Sequence, residues 1–381
     1  MLSRVANNLY WMSRYVERAD NTARLVDVNL QLLLDVRNLN DRTLAEYWKP
    51  IVQSTGDDEL FFQLHPKATG KTVTEFLVFQ PENPNSIVSA IAQARENART
   101  VRDQLAVEVW EELNRLYLLL HSPRARELWA GSPQDFFHEI KASSLHLQGL
   151  TEATVVRNEG WFFSQAGRCL ERADKTSRLL DVRHAALPAR GTPAPADISQ
   201  ADALGWSAVL RSCSAWAAYK SLHGSEVRPA LVAEFLLLSE DFPRSVRFCV
   251  QRLNTALRGI SGVAEGRFSN DAEKLAGRLL AELQFSTVAD VLDVGLHAYI
   301  DRLQGKLNDI GGALFQTYIH QTFHAQSDDE LRQQEEQQQQ QKNPPAALAP
   351  AAAAQSRRAR CAARQKILLA RPAAAPFLLR Q

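Results

Sequence analysis

The chain has no excess of charge of either sign: 44 Lys and Arg stand against 43 Asp and Glu. A general nucleic-acid binder carries a strong basic footprint, so this balance gives a nucleic-acid partner no support. Cysteine is scarce. The four residues, Cys169, Cys213, Cys249 and Cys361, have no paired spacing, which signals neither a zinc knuckle nor a disulfide framework. No run of about 18 uncharged apolar residues is present that could span a bilayer. The opening MLSRVANNLYWMSRYVERAD lacks the apolar core and cleavage site of a secretory signal. A soluble, cytoplasmic protein with no membrane partner is expected. Alternating β-branched residues are almost absent, which argues against strands.

Recognisable catalytic signatures are missing too: there is no Ser-His-Asp order, nucleophile elbow or Gly-rich dinucleotide turn. ATGKT at 68–72 has the end of a phosphate-binding loop, but His65 occupies the position of its first glycine and no strand precedes it. His320 and His324 have the spacing of metal ligands on a helix, yet no local acidic or Cys partner supplies a third ligand. Neither a metal nor a cofactor is expected.

What is present is one charged segment, twice. RYVERADNTARLVDV, starting at Arg14, returns as RCLERADKTSRLLDV, starting at Arg168. Trp48 pairs with Trp206, and FLVFQPENPNSI from Phe76 matches FLLLSEDFPRSV from Phe235. A repeat this long marks two copies of one structural unit. The expected organisation is two tandem homologous helical-bundle halves, 1–145 and 146–325, fused into one body. The second copy is slightly longer, and the Pro- and Gly-rich stretch 187–199 is the natural place for the insertion. A Gln-, Ala-, Pro- and Arg-rich tail at 326–381 has little to bury and reads as disordered.

Apolar spacing at three and four residues predicts an all-α fold of roughly ten to twelve helices packed as antiparallel bundles. The expected helices are 8–36, 85–120 (one helix or two abutting ones), 133–156, 205–222, 229–238, 243–260, 271–283 and 286–323. Thr72 with Glu75 has capping-box spacing and predicts a helix through Phe79, stopped by Pro81. The halves are expected to join through helix rather than a flexible tether. The seven tryptophans are spread along these helices and read as core.

On a helical wheel Tyr15, Val16, Ala19, Thr22, Ala23, Val26 and Leu30 form one apolar arc. Leu25, Val28 and Leu32 intrude among the charges opposite, so the charged side is not plainly solvent. One reading of those charges is a ladder of intrahelical pairs, Arg14 with Glu17, Asp20 with Arg24 and Arg24 with Asp27, worth about 0.2–0.5 kcal/mol each when exposed. The other is a groove between the two copies. It would present Arg14, Arg18, Arg24, Arg168, Arg172 and Arg178 beside Glu17, Asp20, Glu171 and Asp174, a set suited to carboxylates or phosphates. Guanidinium forks grip such anions bidentately, and a neighbouring carboxylate such as Glu17 or Glu171 can orient an amine or take its proton, which makes these two the catalytic candidates. Arg95 and Glu96, on the charged stretch 94–103, are candidates to line the same groove from the first half only; a solvated helix face is the alternative.

At NLYWMSRYVERADNTARLVDV, NPNSIVSAIAQARENARTVRDQL and RCLERADKTSRLLDV the chain resembles the bacterial alpha-E family, a domain of unknown function. The resemblance covers about residues 1–322 and leaves the tail outside. It implies an all-helical domain whose Glu-Arg motifs fall on Glu17 and Arg18, Glu171 and Arg172, and less closely on Arg95 and Glu96. It also implies two partners, a circularly permuted ATP-grasp protein and a transglutaminase-like peptidase, and through them a peptide or amide-bond forming system. A non-catalytic scaffold that docks those partners is the competing expectation.

Overall fold

A computed structural model describes residues 1–35, 41–183 and 200–320. Among them the regular structure is entirely helical, with sixteen α-helices, more than the ten to twelve expected. The long α1 (Ser3–Asp35) and α2 (Asp41–Thr55) precede two short helices, α3 (Asp58–Leu64) and α4 (Gly70–Thr74), the latter running into a π-helical turn, Glu75–Phe79. Next come α5 (Ile87–Thr100), α6 (Val107–Leu120), α7 (Pro123–Gly131) and α8 (Pro133–Thr154). After α9 (Glu159–Asp181) follow α10 (Gln200–Ser212), α11 (Trp216–His223), α12 (Pro229–Leu238) and α13 (Val246–Ser261). The series closes with α14 (Asp271–Phe285), α15 (Val288–Val294), α16 (Leu296–Phe315) and a π-helical turn, Gln316–His320.

The surplus helices come from breaks that apolar periodicity does not register. The expected helix 205–222 is interrupted between α10 and α11, where Ser214 takes φ 53°. The expected 286–323 is interrupted at Gly295, whose φ of 91° a side chain would resist. The 85–120 stretch is two helices parted by a 3₁₀ turn, Arg102–Gln104. The capping box lies one turn earlier than Thr72/Glu75: the Thr69 hydroxyl accepts from the Thr72 amide at 3.2 Å, and the Thr69 amide donates to the Thr72 hydroxyl at 2.9 Å. The expected helical junction between halves is likewise broken, since α8 ends at Thr154 and α9 restarts at Glu159 under an Asn158 cap, which accepts from the Trp161 amide at 3.1 Å. The expected loop at 187–199 and tail at 326–381 lie outside the described residues.

Residues Met1–Ala325 form one compact unit. Within it, α1 packs with α5 and α8, and α6 bridges α5 and α8; α9 packs with α13 and α16, and α14 bridges α13 and α16. The two four-helix groups meet along α1 and α9. The approach there is close: a Cβ on Gly167 would stand 2.3 Å from the Tyr10 carbonyl oxygen, so only glycine lets the backbones meet. Equivalent serines start the flanking helices. Ser86 accepts from the Ser89 amide at 3.2 Å to cap α5, and Ser245 from the Phe248 amide at 3.1 Å to cap α13. Trp48 and Trp206 are both completely buried, as expected of core residues, whereas Trp11, Trp110, Trp161 and Trp216 are half-buried with a cationic side chain over each ring. No helix among the described residues is long and apolar enough to cross a membrane.

Candidate functional site

The charged faces of α1 and α9 point at each other, and their pairing crosses between the helices. Glu17 of α1 accepts from Arg172 of α9 through both oxygens, Nε to Oε1 at 2.8 Å and Nη2 to Oε2 at 2.7 Å. In return Glu171 of α9 accepts from Arg18 of α1, Nε to Oε1 at 2.7 Å and Nη2 to Oε2 at 3.0 Å. Each adjacent Glu-Arg dipeptide thus gives its carboxylate to the other helix's arginine and its arginine to the other helix's carboxylate. Two parallel N–H···O bonds fit a guanidinium fork, and Lys could not make them.

Each carboxylate also receives a further arginine, and here the two sides differ, with Asn21 Nδ2 donating to Glu17 Oε1 at 3.1 Å as well. Glu171 receives Arg14 Nε at 2.8 Å, whereas Glu17 receives Arg244 Nη1 at 3.1 Å. Arg244 comes from the loop before α13 and also donates to Asp20 Oδ2 at 2.6 Å and Asn21 Oδ1 at 2.9 Å. At the matching place before α5 stands Asn85, which accepts from Arg18 Nη1 at 2.5 Å and donates to Asp57 at 2.7 Å. Arg168, the counterpart of Arg14, leaves Glu17 alone and bonds Gln165 and, at 3.1 Å, Glu152.

These carboxylates are sealed: Glu17 is 1% and Glu171 0% exposed. Burial alone would raise the Glu17 carboxyl, but the Arg172 and Arg244 guanidiniums outweigh it and hold it down at about 2. For Glu171 burial again pushes upward, and Arg14 and Arg18 win, holding it well below the usual carboxylate range. Both are therefore ionised at neutral pH. A carboxylate with so low a proton affinity and so many donors is a poor general base.

The remaining candidates divide sharply. Arg24 pairs with Asp20 at 2.9 Å and Arg178 with Asp174 at 2.9 Å, one turn apart on their own helices. Of the three expected ladder pairs only Asp20–Arg24 forms. Arg14 reaches across to Glu171 rather than Glu17, and Asp27 pairs with Lys141 of α8 at 2.6 Å while Arg24 Nη1 donates to Ser214. Arg95 and Glu96 do not join the cluster: Arg95 sits between α5 and α6, bonding Asn114 at 3.1 Å beneath Trp110 and Tyr117, and Glu96 is an exposed partner of Arg95 and Arg99. The i,i+1 and i,i+3 spacing of these residues makes a local network on α5.

Sequence reasoning missed Arg244, Asn85 and Lys175. The alignment of FLVFQPENPNSI with FLLLSEDFPRSV was the available signal for the first two, since it puts Asn85 opposite Arg244 just before matching serine caps. Lys175 is half-buried in place of Asn21; burial pulls its ammonium down against the opposing pull of Glu171 and Asp174. The three described cysteines are buried and free, and burial pushes their thiols up, Cys213 to about 12, so they are protonated and unreactive at neutral pH. Among the described residues no group of three His, Cys, Asp or Glu side chains is placed to hold a metal.

Space beside the cluster is unequal. Glu17 borders a cavity of only about 40 Å³, about enough for a water or two. Arg14 and Asp174 border one of about 220 Å³ against α16. A third, of about 420 Å³, lies among α8, α9 and α13, with Arg168 and Arg172 on its wall beside Glu152 and Arg252.

A family model described as a predicted alpha-helical domain with a conserved ER motif matches residues 1–319. The chain is also similar to an uncharacterized protein of Mycobacterium bovis and to two of Mycobacterium tuberculosis, each 25% identical over 348 residues. Those alignments cover 83% of this chain but 37% of each relative, so the chain spans little more than a third of the curated proteins it matches. No solved structure matches it at a significant level.

Proposed function

The chain belongs to the Alpha-E family, and from that premise we propose that it is the ligand-holding component of a bacterial, cytoplasmic peptide or amide-bond forming system. In this reading two homologous halves, expected at 1–145 and 146–325 but parted at the break between α8 and α9 so that α8 stays whole in the first, are locked by their reciprocal Glu-Arg motifs. The likeness of the two packing groups, each with an ER helix, a serine-capped helix and two further helices, supports that duplication. Glu17 and Glu171 are positioning residues that fix the arginines, and a carboxylate- or phosphate-bearing ligand rests against the exposed side of the arginine cluster. The observation that carries the proposal is the asymmetry of the donors: Arg244 takes over at Glu17, which leaves Arg168 at the wall of the cavity of about 420 Å³.

The bond-forming chemistry belongs to the partners that the family resemblance implies, a circularly permuted ATP-grasp protein and a transglutaminase-like peptidase. Reconstituting the three proteins and following amide product tests this. Arg168→Ala is expected to cut product while the protein stays folded and still co-purifies with its partners. A second reading, a non-catalytic scaffold, draws on the saturation of Glu17 and Glu171. It predicts co-purification with product formation indifferent to Arg168, and that result would replace the ligand-holding role.

A further inference from the structure

The cavity of about 420 Å³ is within the size of small-molecule sites, about 300–1,000 Å³. Its wall is basic. Arg157, Arg168, Arg172 and Arg252 line it against the single carboxylate Glu152, and Arg172 is already neutralised by Glu17. Arg168 and Arg157 share Glu152, at 3.1 and 3.8 Å. Arg252 makes no ion pair among the described residues, and its guanidinium lies 5.4 Å from the Phe248 ring centre. The wall is thus left with more guanidinium charge than it can pair internally.

Gln148 uses its side-chain oxygen to accept from Arg172 at 3.2 Å. Gln148 Nε2, Trp161 Nε1 and Arg168 Nε are unpaired donors with almost no accessible surface, so a guest meets them only where those side chains turn toward the cavity. Trp161, Phe162 and Phe248 line the same space, with Gln165 and Thr255 among the remaining wall residues. Cationic donors at one part and aromatic faces at another suit a ligand of two parts.

We propose that this cavity binds an anionic oxygen head, carboxylate or phosphate, joined to an aromatic or apolar body, with Arg168 and Arg252 gripping the head and Trp161 and Phe248 covering the body. The assignment rests on the ligand-holding role above and names its site and ligand chemistry. In peptide terms the fitting guest is a free C-terminus that follows an apolar side chain.

The test is titration calorimetry of the whole chain, with Trp fluorescence in parallel, using three probes: the dipeptide Ala-Phe, its C-terminal amide, and phenyl phosphate. Saturable binding of Ala-Phe or phenyl phosphate is expected, the tighter of the two identifying the head. The amide should bind at least about ten-fold more weakly, and Arg252→Ala should weaken the preferred probe by about ten-fold. Arg252 is exposed and carries no ion pair among the described residues, so its variant should unfold at the same denaturant midpoint as the parent. Absence of saturable binding by both anions, an amide that binds as tightly as the preferred anion, or an Arg252→Ala variant with undiminished affinity would each overturn the assignment. Its failure and that of the broader role are separable. Loss of amide product in Arg168→Ala without probe binding retains the role and removes this ligand class; probe binding with product indifferent to Arg168 does the reverse.

Discussion

Replacing Glu171 by Gln removes one negative charge from between two guanidiniums and changes almost nothing in volume. Glu171 is fully buried, and its partners Arg14 and Arg18 are 18% and 13% exposed, so neither can swing into water without leaving α9. The amide offers one acceptor oxygen in place of two and turns its NH₂ toward a cation. Breaking a buried pair from one side costs about 3–5 kcal/mol, because the partner charge remains desolvated. Against a total stability of about 5–15 kcal/mol for a typical domain, that is a large fraction. Chemical denaturation followed by far-UV circular dichroism measures it, with Glu96→Gln as the reference. Glu96 is 49% exposed between Arg95 and Arg99, and an exposed network of this kind is worth about 0–1 kcal/mol. A triple variant, Glu171→Met with Arg14→Met and Arg18→Met, removes the carboxylate and both guanidiniums together, leaves Lys175 to Asp174, and should recover most of the loss. Equal costs for Glu171→Gln and Glu96→Gln would refute the reasoning, and a triple variant no better than the single one would show that shape rather than charge is at stake.

Acid should act through the same groups. Because the folded Glu17 carboxyl sits at about 2, below an unfolded value of about 4.3, its contribution is complete above about pH 5 and drains away as pH falls toward 2 and below. A stability-against-pH curve should fall across that window, and Glu17→Gln should flatten it; an unchanged slope would contradict the assignment. Arg244→Met leaves Asp20 to Arg24 and Glu17 to Arg172 but removes one charge-assisted bond from each, and a loss of about 1.5–3 kcal/mol is expected in the same denaturation assay, with less than about 0.5 refuting it. Gly167→Ala drives a methyl into the Tyr10 carbonyl, so the close crossing of α1 and α9 must open, at a cost of about 1–3 kcal/mol or more; a neutral effect on the unfolding midpoint would show that the backbones are not in contact.

The helical class was legible because periodicity and capping residues are local properties. The repeat starting at Arg14 and Arg168 also announced which side chains matter. What it hid was direction. Spacing on one helix makes Arg14–Glu17 and Arg24–Asp27 look like natural pairs, yet Arg14 bonds Glu171 of α9, brought near by the close crossing at Gly167, and Asp27 pairs with Lys141 of α8. Arg95 and Glu96 share the residue types of the cluster and none of its surroundings, and of their two readings the solvated helix face is the one that Glu96, 49% exposed, fits. The helix count failed at Ser214 and Gly295, where backbone dihedrals break patterns whose apolar spacing continues. Arg252, Trp161 and Gln148 belong to three different helices and carry no motif, so the cavity they share had no linear signature.

The central claim is that each ER motif exists to hold the other, and a double-mutant cycle on Glu17 and Arg172 measures that directly. Unfolding free energies of Glu17→Gln, Arg172→Met and the double variant should reveal a coupling of about 0.5–3 kcal/mol, with the double variant less damaged than the sum of the singles. Strictly additive losses would mean that the two side chains do not act on each other, and the reciprocal clasp between α1 and α9 would be wrong.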